Sequence, residues 1–356
     1  MAQRISASTG GNNTVTHVGW ATIGTGFAAT RRAKAIVEDP RAQLVAVAGR
    51  DRDRTAKFCA ELLSADAAEP NVSPHEIDLE TGWRDLLARD DIDAIAVCTI
   101  SRDHADRTRA ILEAGKHAIV EYPLAFDPAE ARALLDLARS RDLLLHVEHI
   151  ELLGGLHRAA RENIADIGAP YYARYVTLAP KRPAPQRWSY RAADFGFPFV
   201  GALSRVMRAI DLFGAVDRVS ASVRYWPREG GDYYTSCLCR GELRFTSGAI
   251  VELVYSKGDR VWERQNQFEI FAEAGVLTLT TKSGQLVRGE ETRKIAIGGR
   301  RGLFARDTQM ATAAILDGAA MYVQPERSIY ALAVADGLRR AAESGVEVAI
   351  EIAYEH

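Results

Sequence analysis

Apolar and polar positions follow two different rhythms along the 356-residue chain. Up to residue 150, short apolar runs alternate with segments whose apolar residues recur at helical spacing. That alternation is typical of a parallel, doubly wound α/β sheet, because each crossover between parallel strands needs a long connection. Beyond residue 150, successive apolar runs lack intervening helices, which predicts a large open, mostly antiparallel sheet. We therefore predict an α/β domain over residues 16–148 and an α+β domain over residues 149–356.

The same pattern gives bounds for the individual elements. Helices are predicted over residues 27–36, 55–63, 105–114, 128–139, 156–164, 200–213, 306–316 and 328–343. Strands are predicted over residues 18–23, 44–48, 92–98, 117–121, 143–147, 171–178, 219–225, 238–245, 249–255, 267–272, 276–281 and 293–297. Residues 1–15 are small and polar with no apolar segment, so we predict a disordered arm and not a signal peptide.

A glycine-rich turn joins the first predicted strand to the first helix. The strand stops at Gly24-Thr25-Gly26, and Phe27 begins the helical pattern, with Ala29 completing a G-x-G-x-x-A motif. In a dinucleotide-binding fold the first glycine allows the turn and the second lets a pyrophosphate approach the backbone. The small third residue permits close helix–strand packing. An ordinary βα turn would explain one glycine but not the whole pattern, so we predict a Rossmann nucleotide-binding domain.

The end of the second strand bears on which nicotinamide cofactor is bound. Enzymes that use NAD commonly place a carboxylate here for the ribose 2′-hydroxyl, whereas an arginine suits the 2′-phosphate of NADP. Gly49 and Arg50 occupy the critical positions and favour NADPH, with NADH accepted more weakly. In the alternative interpretation, residues 50–54 form a solvated charged turn and Asp51 discriminates between the cofactors.

Composition argues against nucleic acid and membranes as binding partners. The formal net charge of −2 gives no overall attraction for nucleic acid or an anionic membrane, and no apolar run is long enough to span a bilayer. The four cysteines lack metal-ligand spacing, which favours buried free thiols in a reducing, cytoplasmic setting. His146, Glu148, His149 and Glu151 could suggest a metal site, but a structural role at the domain junction is the preferred interpretation, and no metal is predicted.

The segment over residues 179–199 combines proline with basic and aromatic side chains. Arginine can hold carboxylates in bidentate fashion, and aromatic rings can stack on a flat conjugated ligand. The candidates for carboxylate binding are Lys181, Arg182, Arg187 and Arg191, and those for stacking are Trp188, Tyr190, Phe195, Phe197 and Phe199. A solvated basic loop with aromatic residues packed beneath it is the alternative that composition alone leaves open.

The glycine turn, the strand exit Glu121-Tyr122-Pro123 and the sheet-rich second half resemble the Gfo/Idh/MocA oxidoreductases. That family carries a catalytic lysine in an E-K-P motif and a D-x-x-x-H motif on a helix facing the nicotinamide. Here Tyr122 stands in place of the lysine, and Ser204 and Arg208 stand in place of the aspartate and histidine. An enzyme that oxidises an alcohol needs a base at the hydroxyl, and both usual candidates are absent.

These departures are similar to those of the biliverdin reductase branch. The shared segments are Val120 to Pro123, His146 to Leu153, Phe195 to Pro198 and the pair Ser204-Arg205. The segments over residues 183–188 and 154–155 are similar to the cyanobacterial members. The resemblance implies NADPH-dependent reduction of biliverdin to bilirubin, by hydride transfer to the central methine carbon of a small-molecule bilin.

The motifs and the resemblance together name the expected site residues. Catalytic roles are expected for Arg187, Glu121 and Tyr122. Cofactor contacts are expected from Gly24, Thr25, Gly26, Phe27, Ala28, Gly49, Arg50, Asp51, Thr99, Ile100, His104 and Glu121. Substrate contacts are expected from Arg187, Trp188, Arg191, Phe197, Arg205 and His149.

Two other functions fit the sequence. One is oxidation or reduction of a sugar or cyclitol, as in other Gfo/Idh/MocA members, although the missing lysine and histidine argue against it. The other is a non-catalytic regulator that senses NADP and has kept the fold. The sequence leaves open whether the protein is a monomer or a dimer.

Overall fold

The computed structural model describes residues 17–64, 78–80, 82–351 and 353. The predicted arm over residues 1–15 lies outside the described residues. Within the described part of the chain, no helix is long and apolar enough to cross a membrane.

The N-terminal half forms a six-stranded, fully parallel sheet with the order β3-β2-β1-β4-β5-β6. Its strands are β1 (Val18–Ile23), β2 (Ala42–Ala48), β3 (Asp78–Glu80), β4 (Ala94–Val97), β5 (His117–Glu121) and β6 (Leu145–Glu148). Its helices are α1 (Phe27–Val37), α2 (Arg52–Ser64), α3 (His104–Glu113) and α4 (Pro128–Ser140). Every residue of β1 is buried, as expected for a strand with helices on both faces. The predicted doubly wound domain is confirmed.

The C-terminal half forms a nine-stranded sheet with the order β14-β13-β12-β11-β7-β10-β9-β8-β15. Only β7 and β10 are parallel neighbours, so the predicted mostly antiparallel sheet is confirmed. Its strands are β7 (Pro170–Pro180), β8 (Val216–Pro227), β9 (Tyr234–Phe245), β10 (Ile250–Gly258), β11 (Gln265–Ala272), β12 (Gly275–Thr280), β13 (Gly284–Arg288), β14 (Glu291–Ile295) and β15 (Val348–Ala349). The sequence pattern missed β13 and β15, which are short and partly exposed.

Six helices accompany this sheet. They are α5 (Gly155–Asn163), α6 (Ala192–Phe195), α7 (Pro198–Gly201), α8 (Ser204–Phe213), α9 (Leu303–Asp317) and α10 (Pro325–Ser344). The single helix predicted over residues 200–213 was wrong, because Ala202 leaves helical geometry with φ −115° and ψ 40° and separates α7 from α8. A Cβ on Gly201 would lie 2.4 Å from the carbonyl oxygen of Phe195, so the glycine allows α7 to pack closely against the end of α6.

The start of the second helix also differs from the prediction. Helix α2 begins at Arg52 and not at residue 55, because Asp51 caps it. The Asp51 carboxylate accepts a hydrogen bond of 2.7 Å from the Arg54 amide, which satisfies one of the unpaired amides of the first turn.

A buried charge network ties α9 back onto the nucleotide-binding domain. Arg32 of α1 and Asp307 of α9 form an ion pair in which both side chains are almost completely buried. Asp307 also accepts hydrogen bonds from Tyr322, at 2.7 Å, and from His146 of β6, at 2.8 Å. Although burial opposes ionisation, Arg32 and His146 keep the pKa of Asp307 below its usual range. The C-terminal half is therefore fixed to the first helix of the N-terminal half by charge as well as by packing.

We expect Arg32→Leu to lower the free energy of unfolding by about 3–5 kcal/mol, because it leaves the Asp307 carboxylate buried without its cation. Urea unfolding followed by circular dichroism measures the change. Arg41→Ala is the matched control, since it removes an exposed ion pair of 2.8 Å between Arg41 and Asp317 of the same helix α9, and we expect it to cost about 1 kcal/mol or less. Equal losses in the two variants would contradict the role given to Arg32.

Candidate active site

A cleft of about 1540 Å³ runs between the two halves of the protein. One wall comes from the carboxyl ends of β1, β2 and β4, where ligands of open α/β sheets bind. The other wall comes from the end of β7, the segment Arg187 to Phe195 and the end of β10. A ligand bound at the glycine turn thus faces side chains of the second sheet.

The glycine turn has the backbone features that a pyrophosphate requires. Gly24 adopts φ +122°, and a Cβ there would lie 2.3 Å from the Cys98 carbonyl oxygen, so only glycine fits. The corresponding position at Gly26 faces open space. No side chain caps the start of α1, and no acidic residue lies in its first turn. The free amides and the positive end of the helix dipole therefore face the cleft.

The ribose end of the cleft is lined by Gly49, Arg50, Asp51 and Arg54. A Cβ on Gly49 would lie 2.1 Å from the Thr55 hydroxyl oxygen, which explains the glycine there. Since the Asp51 carboxylate caps α2, it is engaged with its own helix. The exposed Arg50 side chain extends into the cleft without such a constraint.

The facing wall carries Arg187, Trp188 and Arg191, as the sequence analysis anticipated. Arg191 is paired with Asp232 at 2.7 Å and with Asp194 at 3.6 Å. Arg187 is exposed and donates a hydrogen bond of 3.0 Å to the Ser189 hydroxyl. Among the residues that the structure describes, no carboxylate lies within ion-pair distance of Arg187. Arg187 thus offers an uncompensated positive charge to an acidic ligand.

Tyr122, Ser204 and Arg205 are linked by hydrogen bonds behind the cleft. The Tyr122 hydroxyl donates a hydrogen bond of 3.3 Å to the Ser204 hydroxyl, and Arg205 donates to the same oxygen at 3.0 Å. The Tyr122 ring stacks on His149 with 5.3 Å between ring centroids. Burial raises the pKa of Tyr122 to about 12 and lowers that of His149 to about 3, so both groups stay neutral near pH 7.

Glu121 lies next to a second carboxyl group at the edge of the parallel sheet. It pairs with Glu148 across β5 and β6, and one of its oxygens lies 3.9 Å from Arg32. Burial raises the pKa of both glutamates, and the negative charge of Glu121 raises that of Glu148 further. Both carboxyl groups are therefore easier to protonate than ordinary glutamates.

Several predicted site residues do not line the cleft. His104 is buried and bonds to the carbonyl oxygens of Pro123 at 2.8 Å and Thr99 at 3.4 Å, so it braces the backbone beside the cleft. Phe197 packs edge-on against Phe199. The others outside the cleft lining are Glu121, Tyr122, Arg205 and His149. The remaining predicted contacts line it, namely Gly24, Thr25, Gly26, Phe27, Ala28, Gly49, Arg50, Asp51, Thr99, Ile100, Arg187, Trp188 and Arg191.

The histidines near residue 150 have structural partners. His146 bonds to Asp307, and the His149 ring bonds to Ser328 at 2.9 Å. One Glu148 oxygen accepts from the Ile150 amide. Within the described ranges, no group of three or more potential metal ligands comes together. The four cysteines are buried free thiols, as predicted.

The structure adds Lys257 and Tyr255 of β10 to the cleft lining. Sequence reasoning missed both, because they stand at the end of an apolar strand and belong to no motif. A lysine in an otherwise apolar run is the one signal that could have identified Lys257.

Comparison with known proteins places the chain in a family. Residues 18–149 match the model of an oxidoreductase family with an NAD-binding Rossmann fold, Gfo/Idh/MocA, and residues 161–350 match the C-terminal alpha/beta domain of the same family. Both matches agree with the predicted fold, and the first shows that the cofactor is a nicotinamide dinucleotide.

Within the family the chain is similar to biliverdin reductases. It is 33% identical over 139 residues to biliverdin reductase A of Mus musculus and 29% identical over 155 residues to that of Homo sapiens. These matches cover 39% and 44% of this chain and span about half the length of those proteins, 44% and 49% respectively.

A solved structure matches over nearly the whole chain. Biliverdin reductase from Synechocystis sp. PCC 6803, in complex with biliverdin and NADP+, has a TM-score of 0.85 and 39% sequence identity. The match covers 92% of this chain and 99% of that one. The predicted resemblance is confirmed, and the chain belongs to the Gfo/Idh/MocA family of NAD(P)-dependent oxidoreductases.

Proposed function

We propose that this protein reduces biliverdin to bilirubin with NADPH. One observation carries the proposal: a single cleft joins the nucleotide-binding turn at Gly24 to the uncompensated cation of Arg187. The bound cofactor supplies a hydride, and the protein must place the central methine carbon of the bilin near it and balance charge. The similarity to the Synechocystis enzyme over nearly the full chain supports the same assignment.

The arrangement behind the cleft supports a substrate without a reacting hydroxyl group. Tyr122 stands where sugar-oxidising relatives have their lysine, and its neutral phenol is bonded to Ser204. Arg208 stands where they have a histidine, lies 3.6 Å from Glu151 and is buried. Neither side chain is free to remove a proton from an alcohol. Reduction of a methine bridge needs no such base.

Arg187 is suited to a propionate carboxylate of the bilin. A guanidinium group binds a carboxylate through two parallel hydrogen bonds, which fixes the orientation of the ligand as well as its position. Because arginine stays charged, Arg187 can also order a water molecule that relays a proton, but it is a poor donor itself. Trp188, which is 36% exposed, offers a flat apolar surface beside it.

Arg50 and Arg54 favour NADPH at the other end of the cleft. Both line it next to Gly49, so a 2′-phosphate would meet two cations where an NAD-specific fold presents a carboxylate. Asp51 is the carboxylate at this edge, and it is bonded to the Arg54 amide.

We expect the purified protein to convert biliverdin to bilirubin in the presence of NADPH, seen as loss of the green bilin absorbance and growth of the yellow one. Turnover of a polyol or sugar without bilin turnover would instead support the oxidoreductase alternative. Tight NADPH binding with neither activity would support a cofactor-sensing regulator and overturn the proposal.

We expect Arg187→Ala to lower bilin turnover by about 100-fold or more, since charge-assisted bonds that orient a substrate contribute several kcal/mol. The dissociation constant for NADPH, measured by fluorescence titration, should stay unchanged. Arg224→Ala is the control, because Arg224 is exposed on β8 and stacks on Trp226 away from the cleft. Unchanged turnover by Arg187→Ala would show that Arg187 does not contribute to the substrate site.

We expect Arg50→Ala to weaken NADPH binding by about 10- to 100-fold, because a hydrogen bond to a charged group contributes about 1.5–3 kcal/mol. NADH binding should change by about twofold or less, since NADH has no 2′-phosphate for the arginine to contact. Arg52→Ala is the matched control, as Arg52 lies exposed in the first turn of α2 and outside the cleft lining. An equal loss of affinity for both cofactors would contradict the 2′-phosphate assignment.

A further inference from the structure

Lys257 is a buried lysine at the substrate end of the cleft. The proposed function does not yet give it a role. It lies near the end of β10, is 6% exposed and contributes to the cleft lining. Its ammonium nitrogen lies 3.4 Å from the ring centroid of Phe195. The rings of three tyrosines complete an aromatic cage, with centroids at 5.0 to 5.8 Å, formed by Tyr190, Tyr234 and Tyr255.

The cage offers the Lys257 ammonium group cation–π contacts in place of a carboxylate partner. Its nitrogen donates one hydrogen bond to the Ser189 carbonyl oxygen. Within the part of the chain that the structure describes, no carboxylate lies within ion-pair distance of it. Asp194 of the adjacent α6 is engaged by Arg102 at 2.7 Å and by Arg191.

The other titratable groups around the cage act in both directions. Cys237, which faces Lys257 from the neighbouring strand β9, raises the pKa of the lysine, although burial also raises the pKa of the thiol itself. Arg187 and Arg205 place positive charge near Lys257 and lower its pKa. Burial likewise raises the pKa of the three cage tyrosines, which remain phenols.

Burial is the main cause that lowers the pKa of Lys257 to about 7. At that value the amine exchanges a proton readily near neutral pH, as an efficient general acid requires. An ordinary exposed lysine would hold its proton too tightly.

We propose that Lys257 is the catalytic residue that donates the proton in bilin reduction. The inference rests on the proposed function. As hydride joins the central methine carbon, the electron pair displaced from the methine double bond moves through the conjugated system to the imine-type nitrogen of the adjacent ring. That nitrogen forms its new N–H bond with a proton from the lysine ammonium group, which becomes a neutral amine. Water then restores the proton, so the bilin gains one hydride and one proton in all.

The other groups near the cleft are less suited to this step. Arg187 keeps its charge at any accessible pH and is a poor proton donor. Tyr122 does not line the cleft, and burial raises its pKa to about 12. Glu121 and Glu148 also lie outside the cleft lining. Lys257 combines contact with the cleft and an exchangeable proton.

The test compares Lys257→Gln and Lys257→Arg with the unmodified protein in bilin turnover between about pH 6 and about pH 9. In the unmodified protein we expect turnover to fall as the pH rises through 7, because only the protonated amine donates. Lys257→Gln should be about 100- to 1000-fold slower and independent of pH in this range. Lys257→Arg keeps the charge and a donor for Ser189 but holds its proton, so it should restore neither rate nor pH dependence. Lys294→Gln, an exposed lysine on β14, is the control.

A second measurement does not depend on activity. Carbon-13 NMR of lysine labelled at the ε-carbon, in the protein without cofactor, should show one signal that titrates near pH 7. That signal should be absent from Lys257→Gln. A Lys257 signal that titrates at about pH 10, as in an exposed lysine, would overturn the inference.

The outcomes separate this inference from the proposed function. If the unmodified protein reduces biliverdin and Lys257→Gln keeps its rate and pH profile, Lys257 is not the donor and the proposed function stands. Rescue by Lys257→Arg would show that the lysine only holds the Ser189 turn, which also overturns the inference. If the unmodified protein shows no biliverdin turnover at any pH, both the inference and the proposed function are overturned.

Discussion

The buried ion pair between Arg32 and Asp307 is the contact on which the cleft depends. Arg32 lies on the helix that starts at the glycine turn, and Asp307 lies on a helix that follows the second sheet in sequence. Because either charge left alone in the core would cost several kcal/mol, α9 is held against α1. The second sheet is joined to α9 through the chain, so the pair helps to hold the C-terminal half against the first helix.

The region behind the cleft shows how one fold can change its chemistry without changing its framework. Tyr122 and Ser204 keep the positions of a proton-transfer apparatus, but they hydrogen-bond to each other. Arg208 fills a histidine position and packs over the Tyr175 ring, with 5.1 Å from its guanidinium carbon to the ring centroid. These side chains form a packed layer behind the cleft. Fold similarity alone could not have revealed this, because function depends on the side chains at the site.

The sequence predicted what local chemistry determines and missed what tertiary contacts determine. The glycine turn, β5 and the start of α4 at Pro128 depend on neighbouring residues, and the structure agrees with them to within a residue or two. The break between α7 and α8 at Ala202 follows no local sequence pattern. His104 shows the same limit within the site, since its bonds to Pro123 and Thr99 depend on the folded backbone. Three of the four rings around Lys257, those of Tyr190, Phe195 and Tyr234, are distant from it in sequence.

Burial acts on the acids and on the lysine of this protein with opposite results. It raises the pKa of Glu121 and Glu148, which favours their neutral carboxyl forms, and it lowers the pKa of Lys257, which favours its neutral amine. The glutamates and the lysine differ in their access to the cleft. The glutamates lie behind the strand ends, whereas Lys257 lines the cleft beside the loop that carries Arg187. In the proposed reaction the loop side of the cleft would therefore supply the proton, and the strand side would hold the cofactor.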